Sequence, residues 1–212
     1  MSPSERRSAL EPKAMRTRQR ILEAAAELFR DRGYSNTRLT DIAERAGVQT
    51  GSLYYHFASR EALVGEILHI GMGTAWRHVH QAVDSLASDA APIERVAAAI
   101  KAHLLVVLDI STIASAQSRV VNEVPDDVRA AHLDEQRAYG NYWRSLLEDA
   151  QRAGELDPGL DLYVFGVALF GMMNATTALQ PERVGDAEAV ASIIVGLVLD
   201  GVRVGRPKRR AR

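Results

Sequence analysis

Gln49, Thr50, Gly51 and Ser52 open a short helical stretch, and Tyr54, Tyr55 and His56 follow within two turns. Small or polar side chains at the leading end of a helix suit hydrogen bonding to base edges, because only a slim helix end comes close to the floor of a DNA major groove. The hydroxyl and imidazole groups that follow suit phosphate contacts, which fix register without reading sequence. Two helix starts add candidates: Thr40, expected as an N-cap that leaves helix amides facing a phosphate, and Ser59 with Arg60. Arg16 and Arg18 precede the first regular helix, on an arm whose charge suits a phosphate backbone and plain solvation equally.

Helices must hold these groups. Ile21, Leu22, Ala25, Leu28 and Phe29 recur at helical spacing until Gly33. Residues 36–48 form a second helical segment that buries Leu39, Ile42, Ala43 and Ala46 and stops at Gly47. From Thr50 a third helix turns Leu53 and Phe57 inward; Tyr54 is expected against the first helix and Tyr55 toward a nucleic-acid backbone. Two short helices separated by a glycine turn make a helix-turn-helix pattern. Ser59 caps a longer helix through Leu63, Ile67, Leu68 and Met72 toward His80. The chain is again helical beyond Pro92, over 115–124 and over 126–153, and nothing alternates as a strand does. The expected fold is all-α: a flexible arm (1–15), a three-helix helix-turn-helix domain (16–60), a larger helical domain for ligand binding and dimerisation (61–204) and a basic tail (205–212).

Charge follows the same division. Residues 1–60 carry a net +4, residues 61–202 a net −11 and residues 203–212 a net +6, within a total of −1 over 212 residues. A basic leading segment on an acidic body fits contact of the first part alone with a polyanion. With no cysteine, disulfides, thiolate nucleophiles and Cys-based metal sites are excluded, and a reducing cytoplasm is the natural setting. No apolar run reaches the roughly 20 residues that cross a bilayer, so no membrane partner is expected. His78 and His80, two apart on a helix, share no face, and neither HExxH, a glycine-rich phosphate loop nor a nucleophile elbow occurs. Neither an enzyme nor a cofactor is expected.

The segment from about Arg20 to Leu68, with its AAELFRDRGY, TDIAERAGV, GSLYYHF and SREAL, resembles the DNA-binding domain of TetR-type transcriptional regulators. That resemblance implies a homodimer on double-stranded DNA carrying a palindromic operator, and a helical body whose small-molecule effector changes the spacing of the two DNA-binding units. It also implies repression, and a lysine where Arg60 stands here; the charge is kept and a forked donor replaces a point donor. The last two helices, about 160–178 and 186–204, are apolar around most of their circumference, which implies pairing through them. Gly166, Gly171 and Gly196 allow close approach there.

Polar and aromatic residues within these apolar helices are the candidate effector contacts. They are His69, Met72, Trp76 and His80, then Arg119, His132, Tyr139, Tyr142 and Trp143, then Met172, Met173 and Asn174. Arg119 or Arg137 suits a carboxylate, thioester or phosphate on an elongated apolar ligand. The C-terminal stretch GLDLYVFGVALFGMMNAT is similar to that of members answering acyl-CoA thioesters. Efflux-type regulation by lipophilic drugs and a helical adaptor that binds no DNA are the alternatives.

Overall fold

The computed structural model describes residues 3–179 and 186–202, and every regular element among them is helical. In chain order they are α1 (Pro3–Arg32), α2 (Leu39–Arg45), α3 (Thr50–His56), α4 (Arg60–Asp84) and α5 (Pro92–Leu105). A π-helical turn (Val106–Ile110) leads into α6 (Thr112–Val120), α7 (Asp126–Ala131), α8 (Leu133–Arg152), α9 (Leu162–Ala175) with a 3₁₀ turn (Thr176–Ala178), and α10 (Ala187–Val202).

Three expectations about the elements are corrected. The flexible arm 1–15 is helix from Pro3 onward. Proline at a first helical position forgoes no intrahelical bond, Pro12 removes one, and the Ala, Leu, Glu, Lys, Met and Arg residues around it favour helix. Thr40 is not the N-cap of α2; Arg38 holds that position in extended geometry, and the Asp41 carboxylate accepts the Arg38 N–H at 3.2 Å. The continuous helix expected over 126–153 is broken at His132, where the backbone leaves helical geometry (φ −104°, ψ 4°). The basic tail 205–212 lies outside the described residues.

The described chain forms two compact units. One comprises the residues up to Met72 with Ser111–Leu133; the other comprises Gly73–Ile110 with the residues from Asp134 on. The sequence reading places its division at 60/61. The difference arises because α6 returns to lie against α1.

In the first unit Ile21, Phe29, Ile42, Leu53, Leu63 and Ile67 are completely buried, and Ile113, Ala116 and Val120 of α6 close the same core. Gly33 ends α1 with φ +78°, a conformation that favours glycine. A Cβ there would lie 2.6 Å from a Glu123 carboxylate oxygen. That oxygen instead accepts the Tyr34 N–H at 2.9 Å, which ties the chain just beyond α1 to the turn that follows α6. Gly71 of α4 fills a similar need, since a Cβ would meet Gln117 Cβ at 2.5 Å and the Ile113 carbonyl at 3.2 Å.

The second unit is held by apolar faces of α5, α8, α9 and α10. Lys101 of α5 pairs with Glu188 of α10, and the Glu155 carboxylate accepts the Ile93 N–H at 2.8 Å near the start of α5. Asp161 caps α9 by accepting the N–H groups of Tyr163 and Val164. Among the described residues no single helix is long and apolar enough to cross a membrane.

Candidate functional site

α3 begins after Gln49 in extended geometry and is anchored from beneath by Leu53 and Phe57, 0% and 3% exposed. One helical turn separates these two, so a single inward stripe suffices to seat the helix. Its leading end faces outward: Gln49 and Gly51 are exposed, Thr50 and Ser52 half-buried, and nothing lies within 4 Å of a Cβ built on Gly51. Tyr55 is 83% exposed, with its ring edge-on to that of the half-buried His56 at 5.2 Å. Tyr54, expected against α1, is 53% exposed. It sits about 100° around the helix from Leu53, outside the inward stripe. The tyrosine that does enter this core is Tyr34, 3% exposed and tilted against Phe29 at 5.7 Å.

The basic candidates divide. Arg16 is exposed on α1. Arg18 is half-buried, paired with Glu66 of α4, and its guanidinium lies over the Phe57 ring at 4.8 Å. That engagement replaces the free arm expected for it. Arg60 is likewise committed within the unit: it stacks over the Tyr34 ring at 4.1 Å and donates to the carbonyls of Thr37 at 3.0 Å and Tyr34 at 3.4 Å. The Tyr34 hydroxyl donates to Glu61 at 3.0 Å. Burial and that carboxylate push the Tyr34 phenol up. Glu61 is held below the usual carboxylate range by its own backbone N–H and by Ser59. Ser59 caps α4 through the Ala62 N–H at 3.1 Å.

Two residues of this surface escape a reading of helical periodicity. Arg38, exposed at the N-cap of α2, is a further cation of the unit that carries α3, and its place just ahead of LTDIAE is a usable signal. Arg20 closes the α2–α3 turn by donating to the carbonyls of Ala46 and Gly47. It therefore stiffens the turn that aims α3.

The effector candidates do not form one set. His69, Met72, His132 and Arg119 belong to the first unit, where Arg119 pairs with Glu123. Arg137, in the second, is exposed and pairs with Asp134 at 3.3 Å. Neither arginine stands among the aromatic candidates. Trp76, His80, Tyr139, Tyr142 and Trp143 do come together, joined by two residues absent from the expected set, His103 of α5 and Phe170 of α9. His80 stacks on Tyr142 at 3.9 Å, Trp76 lies 5.6 Å from Tyr139, and Trp143 meets Phe170 at 5.3 Å. Met173 is completely buried on α9 and Asn174 half-buried beside it.

His103 occupies an apolar position in the repeat Ile93, Val96, Ile100, His103, and that misfit is the signal by which sequence could have found it. Its Nδ1 is 2.9 Å from the Tyr139 hydroxyl. Burial holds its pKa down to about 4 and pushes the Tyr139 phenol up. Burial also raises Tyr142, with Asp84 pushing it further up and Arg95 pulling it down.

A stability consequence follows from His103. The unfolded chain protonates this imidazole near 6.5 and the folded chain near 4, so the unfolded state binds more protons between those values and stability falls as pH falls through the window. Urea unfolding at about pH 5 is expected to show roughly 2 kcal/mol less stability from this group than at about pH 7.5. His103→Gln, which cannot protonate, removes that component; an unchanged pH dependence in the variant would assign the loss to other groups.

Comparison with known proteins places both units. Residues 21–67 match the family model for bacterial regulatory proteins of the tetR family, and residues 89–202, more than half of the chain, match the tetracyclin repressor-like C-terminal domain. The chain is 27% identical to the HTH-type transcriptional repressor KstR2 of Mycolicibacterium smegmatis, over 92% of this chain and 94% of that protein. It is 22% identical to the fatty acid metabolism regulator protein of Bacillus subtilis, over 86% and 93%. The structure of AibR in complex with isovaleryl coenzyme A and operator DNA superposes with a TM-score of 0.74 at 25% identity, covering 85% of this chain and 97% of that one. A polar, exposed α3 on a buried apolar base, followed by a helical body matching the C-terminal family model, makes this chain a member of the TetR family: a DNA-binding transcriptional repressor and not an enzyme.

Proposed function

We propose that the protein acts as a homodimer on a palindromic operator and leaves it when an apolar small molecule enters the ring cluster of the second unit. The cluster carries this reading: seven rings from α4, α5, α8 and α9 enclose polar nitrogens in a setting where an apolar packing core alone would place none. In this reading Gln49, Thr50, Gly51 and Ser52 meet base edges, and Tyr54, Tyr55, His56, Ser59 and the exposed Arg16 and Arg38 meet the backbone. Trp76, Tyr139, Tyr142, Trp143, Met173 and Asn174 form the effector side. Tyr163, Val164 and Val167 of α9 and Ile193 and Leu197 of α10, each more than half exposed in the single chain, pair two copies.

The effector class proposed is an acyl-CoA or related thioester, supported by the fatty acid regulator and by the isovaleryl coenzyme A complex of AibR. The test is a footprint of the purified protein on the DNA upstream of its own gene, with competitor DNA and a salt titration. A protected palindrome that is released by acyl-CoA thioesters and not by lipophilic cations is the expected result. Release by the cations alone would replace the thioester with a drug-like effector. Failure to select any sequence, from that DNA or from a random pool, would overturn operator binding.

A further inference from the structure

Buried ring nitrogens in the cluster define what a ligand must offer. His103 is 4% exposed and Trp143 2%, and neither His103 Nε2 nor Trp143 Nε1 makes a hydrogen bond of ordinary geometry among the described residues, though Trp143 stands close enough to the Tyr139 phenol to pull against the rise that burial gives it. His103 Nδ1 lies 2.9 Å from the Tyr139 hydroxyl; the phenol donating along that contact places the imidazole proton on Nε2, and the reverse direction places it on Nδ1. Trp143 Nε1 is a donor in every state. With the imidazole proton on Nε2, His103 and Trp143 are both donors, on rings 6.1 Å apart in edge-on contact; His80 Nε2, on the Tyr142 side of the cluster, is the third buried ring nitrogen without a partner among the described residues. A buried donor left unsatisfied costs about 1–3 kcal/mol, so an acceptor is wanted here.

The acceptor's charge follows from the surroundings. His103 is shifted by burial alone and is neutral at physiological pH. The two arginines suited to a carboxylate are engaged elsewhere, Arg119 with Glu123 in the first unit and Arg137 with Asp134 on an exposed face. Arg95 and Asp84, opposite charges felt by Tyr142, leave no mark on His103, which burial alone shifts. A carboxylate next to His103 would lose its hydration without gaining an arginine or lysine partner among the described residues.

We propose that Tyr139 donates to His103 Nδ1, that His103 Nε2–H and Trp143 Nε1–H then recognise an uncharged carbonyl oxygen, as in a ketone, ester or thioester, on an apolar body lying against the rings, and that the site rejects the carboxylate of the corresponding acid. The π-helical turn Val106–Ile110 begins three residues after His103 on the same chain segment, a backbone irregularity that recurs at functional sites. The proposal rests on the ring cluster being the effector site, and it narrows the effector group held between these rings to a neutral carbonyl oxygen.

Three probes of one shape test it by calorimetry on the full chain at neutral pH: methyl naphthyl ketone, naphthoate and isopropylnaphthalene. The ketone is expected to bind about ten-fold tighter than the hydrocarbon, the contribution of one neutral hydrogen bond, and tighter than naphthoate by at least that factor. His103→Leu should bring ketone and hydrocarbon within about three-fold of each other, and His103→Gln, which keeps a donor near the Nε2 position, should restore part of the preference. If His103→Leu does not fold, the change in the His103 Nε2 resonance of nitrogen-labelled wild-type protein on adding ketone takes its place. Equal binding of ketone and naphthoate, equal binding of ketone and hydrocarbon, no binding of any probe, or a preference that survives His103→Leu would each overturn the proposal. The footprint separates this from the regulatory reading: ketone bound with the operator still protected refutes release by this site, and no ketone bound with the operator released by a thioester refutes the carbonyl site alone.

Discussion

Gly51→Glu is expected to weaken operator binding by at least about 100-fold while leaving the fold intact, because two copies each place a carboxylate where a base edge should sit. Fold and function separate cleanly at this position. Gly51 has no positive φ, and a side chain built on it meets open space. Glutamate is also a better helix former than glycine by several tenths of a kcal/mol. Fluorescence anisotropy at fixed salt, alongside a thermal melt, checks both halves. Binding within about three-fold of wild type would remove α3's leading end from the groove. Gly71 gives the contrast, since any side chain there runs into Gln117 and the Ile113 carbonyl, and its replacement should lower the melting temperature before it touches DNA affinity.

The parts of this molecule that were legible in sequence are those settled by neighbours within one or two turns. Leu53 and Phe57 seat α3, Gly33 and Gly47 end their helices with positive φ, and Ser59 caps α4, each decided by local spacing. What sequence could not supply were partners set by tertiary packing. Arg18 and Arg60 read as phosphate donors because arginine on a basic segment usually faces solvent; Glu66 lies 48 residues from the first, and the Tyr34 ring 26 residues from the second. Arg119 reads as an effector contact because nothing nearby announces that its partner Glu123 also accepts the Tyr34 N–H just beyond α1. The tyrosines of α3 show how fine the local margin is: Tyr54 follows Leu53 directly, and one residue's rotation decides between core and surface. For the ring cluster, the aromatic candidates of α4 and α8 were legible as apolar-face residues. His103 was not singled out, since its role depends on Tyr139 from another helix.

The proposed pairing through α9 and α10 yields the other large effect. Val167 and Leu197 are 60% and 64% exposed in the single chain, so carboxylates at these positions cost the isolated fold little. In a two-fold pairing each substitution enters the interface twice, and a carboxylate buried there without a cation costs several kcal/mol. Val167→Asp combined with Leu197→Asp is therefore expected to sediment as a monomer at micromolar concentration with an unchanged helical spectrum. A single half-site forfeits the effective concentration that the second copy supplies, so operator affinity should fall by on the order of a thousand-fold. The two readouts must move together. A variant that remains dimeric would place the interface elsewhere on the chain. A monomer that still protects the full palindrome at wild-type affinity would mean that DNA, and not the α9–α10 face, brings the two copies together.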